Sequence, residues 1–419
     1  MPSNWAILRK EGVFGFIVLL AVCSIIWGVF LSYSWGTQFV PHIGVDDDTM
    51  HKTVIYYMLN GEDFYSAWRH AALTTGDLGD LRIYRTPFIF YPMVFLTGWA
   101  GSNFVFPLSM VCVSVAAMNL ILTFWSVRSI TTSGWAALAA TFVQSSFFFN
   151  IIPLFQISLF AMPFLILGTH YAYQGKPWLA GIGLAFAFLI KETYAFALPA
   201  FIVLFFLRHQ WREIWILLSI FGGAVSFYLL HTLIAQPIPD PQMMLNASAP
   251  IFILNLAGFL WFGFGVLAYN VLAPATFPNY YPTNPVLPFI PIPLFYGLLI
   301  LQIILIWGTL SWWLIGHIKQ KRTPPIPLSA FALVLWIIPV IFAATTHIDI
   351  FSLYWMDYAI WRWFAPSIVG FQLLVAMSWS NLRSGFQRWL YPSKTFSVNE
   401  AEITRNLNAQ DVPFDTQAL

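Results

Sequence analysis

The chain has 419 residues, 59% of them hydrophobic and 9% charged, with mean hydropathy +0.73 and a formal net charge of +2. Soluble domains carry about 25% charged residues, so this composition argues against a water-soluble class, and apolar runs recurring from Val13 to Trp379 read as a polytopic membrane protein. The small net charge names no nucleic-acid partner, and two cysteines inside apolar runs, Cys23 and Cys112, imply no disulfide framework.

The first apolar run, Val13 to Ser34, is too long for the core of a signal peptide and no A-x-A site follows it, so it is expected to remain as a membrane helix. Ten spans are predicted, near 13–34, 103–127, 133–151, 153–173, 177–190, 193–207, 214–236, 292–316, 326–346 and 359–380. With a cytoplasmic N-terminus, the inner side receives Arg9, Lys10, Arg128, Lys176, Arg208, Arg212, Lys319, Lys321, Arg322, Arg383, Arg388, Lys394 and Arg405. The outer side receives Lys52, Arg69, Arg82, Arg85, Lys191 and Arg362. That asymmetry satisfies the positive-inside rule and puts the C-terminus in the cytoplasm as well.

The expected fold is therefore all-α and multi-pass, one membrane domain over 1–381 with a large first extracytoplasmic loop at 35–102 and a second at 237–291. The polar stretch 382–419 reads as a cytoplasmic, disordered tail. Pro87 to Ala100 is apolar but short, and is expected to lie as a helix at the outer interface. Ile251 to Val271 reads as a re-entrant or interfacial element, because counting it as a span would move the KQKR run at 319–322 outside. The fifth and sixth spans are short and meet at an outward turn carrying Lys191 and Glu192, a pattern that lines cavities.

The first loop concentrates the chemistry. Seven of the 17 acidic residues fall in it: Asp46, Asp47, Asp48, Glu62, Asp63, Asp77 and Asp80. Three consecutive carboxylates beside a membrane are costly to keep ionised without a neighbouring cation, a metal or a catalytic demand. One of them can act as a general base towards a hydroxyl. Asp48 is also placed to cap a helix beginning at Met50. His51, one helical turn on, can bind a substrate or orient a carboxylate, while a single D-x-x-H is short of the ligands a metal site needs. No metal ligands are assigned and no cofactor is implied. Arg82, Tyr84 and Arg85 form a cluster suited either to phosphate oxygens or to interfacial anchoring. Lys191 lies between two apolar runs, where it contacts a phosphate or reaches water beside Glu192. Arg362, near Asp357, has the same two readings: a structural ion pair or a lipid phosphate.

Taken in order, these motifs resemble the C-type glycosyltransferase superfamily (GT-C). The first span is followed by an acidic pair, Asp47-Asp48, then by G-x-x-x-Y at Gly61 to Tyr65 and by Tyr84-Arg85-Thr86-Pro87 running into F-x-x-Y-P at Phe88 to Pro92. Leu189-Ile190-Lys191-Glu192-Thr193 looks like the lysine element of family 87, the polyprenyl-phosphate-mannose-dependent mannosyltransferases of bacteria, and Arg362 before Pro366 looks like its late R-x-x-x-P. The chain departs from the pattern in having three acidic residues for the usual pair and Thr86-Pro87 where Pro-Pro is frequent.

The resemblance implies a hexosyltransferase of the cytoplasmic membrane that uses a polyprenyl-phosphate sugar donor and a glycan or glycolipid acceptor. It implies Asp47 as the base, with Asp48 second, and Lys191, Arg362 and Arg85 on the phosphate. Two other classes compete: a transporter or flippase of a lipid-linked or anionic solute, and an O-antigen ligase or polymerase type of enzyme. Charge gathered on one face rather than at mid-span favours the transferase, and so does a large loop placed early rather than late in the chain.

Overall fold

The computed structural model describes residues 38–43, 47–76, 86–131, 133–151, 157–235, 326–344 and 366–377, with residues 13, 15–21, 24 and 28 of the first apolar run. The predicted span at 292–316, the loop at 237–291, the segment 251–271 and the tail at 382–419 lie outside the described residues. Every described element is helical, and no strand occurs among the described residues.

The first loop opens with α1, Asp47–Leu59. Asp47 and Asp48 occupy its first turn, where carboxylates are favoured by the helix dipole. Asp48 pairs with Lys52 one turn on, at 2.5 Å. Its buried side carries Met50, Val54, Ile55 and Met58 at helical spacing. The helix stops at Asn60-Gly61, where Gly61 takes φ +96°, a left-handed conformation natural to glycine. Asp63 then caps α2, Phe64–Thr75, accepting from the backbone N–H groups of Tyr65 and Ser66. Phe64, Ala67, Trp68, Ala71, Ala72 and Thr75 form the buried stripe of α2, which packs on α1. The third loop helix, α3, covers Phe90–Thr97 and leads into a 3₁₀ segment, Gly98–Asn103. Phe90 is the hub of the three: its ring lies 5.2 Å from Phe64, 5.5 Å from Trp68 and 5.7 Å from His51.

The bundle beneath consists of α4 (Val105–Thr131), α5 (Gly134–Ile151), α6 (Ile157–Tyr173), α7 (Pro177–Ile190), a second 3₁₀ segment (Glu192–Ala197), α8 (Leu198–Leu207) and α9 (Trp211–Ala235). Helix α10 (Ile326–Ala344) packs on α8. Helix α11, residues 366–377, crosses α10 so closely that a Cβ on Gly370 would come within 2.5 Å of the Trp336 nitrogen. Helices α4 and α9, of 27 and 25 residues, are long and apolar enough to cross a membrane by length and composition. At 1.5 Å per residue they reach about 40 and 38 Å. Both show apolar side chains to the outside, among them Ile121, Trp125, Leu229 and Leu233.

Polar contacts fix the bundle from within. Pro163 inside α6 cannot donate to the Leu159 carbonyl one turn earlier, and Asn119 of α4 supplies the missing donor at 2.9 Å. Helices α6 and α7 approach through Gly168 and Gly183; a Cβ on Gly183 would lie 2.7 Å from the Phe164 carbonyl and 2.9 Å from Gly168 Cα. At the end opposite α1–α3, here the lower end, Ser129 Oγ lies 3.0 Å from His170 Nδ1. There Arg208 donates to the carbonyls of Ala172 and Tyr173 in the last turn of α6, the first of which also accepts from the Gly175 N–H. Arg128, Lys176, Arg208 and Arg212 gather at this lower end, and Lys52, Arg69 and Lys191 lie on the α1 side. Among the described residues, the basic side chains read from the sequence as inner and outer fall at opposite ends of the bundle.

Candidate functional site at the upper side of the bundle

The depth of Lys191 follows from helix register. Ser129 meets His170 low on α4 and α6, and Asn119 meets Leu159 ten or eleven residues higher on both. Above Asn119, α4 continues to Val105, about 21 Å further, while α6 begins two residues above Leu159, at Ile157. Ile157 therefore lies roughly 18 Å below the top of α4. The Tyr194 hydroxyl donates to the Ser158 carbonyl at 2.8 Å, which puts the turn after α7 at the level where α6 starts. Lys191 is the break itself: its φ of −146° and ψ of 117° end α7, and the 3₁₀ segment follows at once. Only 3% exposed, it is well below the top of α4. The two short helices expected around Lys191 thus meet at a turn that lies at depth, as their lengths require.

The chain after the first loop reaches the same level. Thr86, 2% exposed, donates its hydroxyl to the carbonyl of Leu189, two residues before Lys191. Phe88 sets its ring edge-on to Phe186 of α7 at 6.5 Å and to Phe227 of α9 at 5.4 Å. Nineteen residues after Thr86 the chain is at Val105, the upper end of α4. The segment Pro87 to Ala100 therefore climbs out of the bundle instead of lying flat along its top. The hydroxyl bond and the two aromatic contacts hold its lower end down, while Phe95 and Trp99 higher up are exposed.

Above this level α2 is joined to the end of α9. Tyr65 Oη lies 3.2 Å from His231 Nδ1 with the rings stacked at 5.8 Å, and Arg69 donates to the Ala235 carbonyl at 3.4 Å. Burial foremost, then the nearby Tyr91 and Asp63 groups, push the Tyr65 phenol up, so it stays neutral in this contact, with the histidine tautomer setting which partner donates. The G-x-x-x-Y motif thus has a structural content: a left-handed glycine, a capping aspartate and a tyrosine reaching across to the bundle.

The expected site residues divide as follows. Asp48 does not cap a helix starting at Met50, since α1 begins at Asp47; it sits in the first turn, 7% exposed, paired with Lys52. His51 is buried in the aromatic cluster, its ring 5.8 Å from Trp68. Asp47 supplies the first residue of α1, and its side chain lies outside what the structure describes. Arg82, Tyr84, Arg85 and Arg362 lie outside the described residues. No group of three or more metal-ligating side chains occurs among the described residues. Lys52 and His231 are given no role by the sequence, and Tyr65 and Thr86 stand in its motifs without one. Lys52 carried a signal, its i+4 spacing from Asp48; Thr86 carried none beyond its place in the Tyr84 to Pro87 motif. No family model, curated protein or solved structure matches the chain in comparisons of its sequence and fold.

Proposed function

We propose that the chain is an integral-membrane glycosyltransferase of the GT-C kind, moving a sugar from a polyprenyl-phosphate donor to an acceptor hydroxyl on the extracytoplasmic side of the cytoplasmic membrane, with inversion. One observation carries the proposal: a buried lysine at a helix break, well below the end of the bundle, tied through Thr86 to the strand of sequence that bears Arg82 and Arg85. A cation at that depth suits the phosphate of a lipid-linked donor, whose chain needs apolar walls. In the transfer, Asp47 takes the proton of the acceptor hydroxyl and the freed oxygen attacks the anomeric carbon. The bond from that carbon to the phosphate oxygen breaks, and the polyprenyl phosphate leaves with the electron pair. Lys191, with Arg85 and Arg362, stabilises the charge that grows on the phosphate. Asp48, already paired with Lys52, is the less suitable base of the two.

The test is transfer of radiolabelled sugar by purified protein from a panel of polyprenyl-phosphate donors. Transfer by wild type, with loss of about 100-fold or more in Lys191→Met and in Asp47→Asn, is expected. Full activity in Asp47→Asn refutes the assignment of the base. The broken helix pair α7 and α8 is also a device of secondary transporters. Uptake of an anionic or lipid-linked solute into liposomes, without sugar transfer from any donor, would favour that second reading.

A further inference from the structure

Helices α7 and α9 stand side by side and run in the same direction, upward from the lower end. A Cβ on Gly181 would lie 3.2 Å from Ile220 Cβ, and further up the rings of Phe188 and Tyr228 meet at 5.2 Å, so one register holds along the pair. Counted down from Gly181 and Ile220, Trp178 and Trp215 stand within roughly 3 Å of one height. Lys176 comes two residues before the first of them and Arg212 three residues before the second, which sets each cation about 3–5 Å below its tryptophan. Trp178, Trp211 and Trp215 are more than half exposed, and Lys176 and Arg212 are exposed with them. The turns that carry these residues are tied together. Arg208 reaches the Ala172 and Tyr173 carbonyls, the Gln210 amide lies against Gly175, and Phe206 sets its ring edge-on to Trp211 at 5.1 Å.

A phospholipid presents its layers in the same order. Its ester carbonyls lie next to the hydrocarbon, where an indole N–H finds acceptors, and its phosphate lies a few ångströms further out, where a Lys or Arg head stays in water. A soluble anion would account for the cations but not for exposed tryptophans above them at matched height on two helices. Charge then selects among headgroups. Arg128, Lys176, Arg208 and Arg212 stand at this end, and the acid among the described residues there is Glu213, in the first turn of α9. The ion pairs among the described residues, Lys52 with Asp48 and His70 with Glu62, are at the opposite end. A choline headgroup carries its own cation beside the phosphate, whereas a glycerol headgroup leaves the phosphate charge to be met by Lys176 and Arg212.

We infer that the lower ends of α7 and α9 form a docking surface for anionic phospholipid headgroups, with Lys176 and Arg212 on the phosphates and Trp178 and Trp215 at the level of the esters. The inference rests on the membrane reading of the chain and is independent of sugar transfer.

The test places the full chain in nanodiscs of equal parts phosphatidylglycerol and phosphatidylcholine and counts, by native mass spectrometry, the lipids of each kind that stay bound on release. Wild type is expected to retain phosphatidylglycerol in preference. Lys176→Gln with Arg212→Gln should lower that preference by about fivefold for each charge removed. Lys176→Arg with Arg212→Lys should keep it, and since both positions are exposed neither pair of changes should disturb the fold. Equal retention of the two lipids by wild type overturns the surface, as does a preference that survives in the glutamine pair or is lost in the charge-preserving pair. Each of those results leaves the membrane reading intact. A chain that stays dispersed in buffer without detergent or lipid removes the membrane reading, and the surface falls with it.

Discussion

Replacing Thr86 by valine keeps the shape of the side chain and deletes one hydroxyl. In the folded protein that hydroxyl donates to Leu189, whose carbonyl belongs to the last turn of α7. The last four carbonyls of a helix lack intrahelical partners. Here the Ala187 carbonyl takes the Lys191 N–H, and the Leu189 carbonyl takes Thr86. With Thr86 buried, Thr86→Val leaves a desolvated acceptor unpaired, a cost of about 1–3 kcal/mol. That cost falls on the docking of the segment 86–97 against α7, so the undocked population should rise by about 5- to 150-fold. The assay is amide hydrogen exchange in nanodiscs, followed on peptides covering Phe90 to Thr97 and on α9 as an internal reference. Exchange in the first should speed up by that factor, exchange in α9 should not change, and Thr86→Ser should restore protection. An unchanged rate in the Phe90 peptide would refute the claim that this hydroxyl anchors the loop to the Lys191 turn.

Asp63→Ala should destabilise α2 by about 1 kcal/mol through loss of its cap. The Ser66 hydroxyl, then the Ser66 and Tyr65 backbone N–H groups, hold the Asp63 carboxyl below its usual range, so its contribution is full above about pH 4 and disappears as pH falls further. Thermal unfolding should show that acid loss in wild type and not in Asp63→Asn, which caps without titrating. Gly183→Ala should lower the apparent Tm, by an overpacking cost of about 1–3 kcal/mol, because backbone of α6 blocks the methyl group; Gly222→Ala, with nothing within 4 Å, should be neutral or slightly stabilising. Asn119→Leu should cost about 1–3 kcal/mol by stranding the Leu159 carbonyl, and Pro163→Ala should recover much of it by restoring a donor from within α6. Additive losses in that double mutant, measured by the same unfolding experiment, would contradict the account.

Much of the helix pattern is legible from hydrophobicity alone. The predicted span at 177–190 coincides with α7, and those at 103–127 and 214–236 differ from α4 and α9 by a few residues at each end. The differences are local. Helix α4 runs on to Thr131 because nothing in Val127 to Thr131 breaks it, while the sixth span begins as a 3₁₀ segment before α8. Asp48 stands in the first turn of α1 rather than at its cap for a related reason: a carboxylate near a helix start serves as either, and the choice depends on where the preceding backbone turns.

Composition, run length and charge asymmetry are properties of the chain in order, and they determined that the protein is helical, strongly apolar, and charged differently at its two ends. The i+4 pair of Asp48 and Lys52 and the cap at Asp63 are equally local, since both partners lie within one or two helical turns. Depth is not local. That Lys191 is buried well below the top of α4 and that Thr86 descends to meet it both depend on which helices stand side by side and at what register. Those relations link residues 103 positions apart in the case of Thr86 and Leu189, and 166 in the case of Tyr65 and His231. Periodicity shows which face of a helix is apolar but not its height against a neighbour, and it is height that buries a lysine standing beside a glutamate.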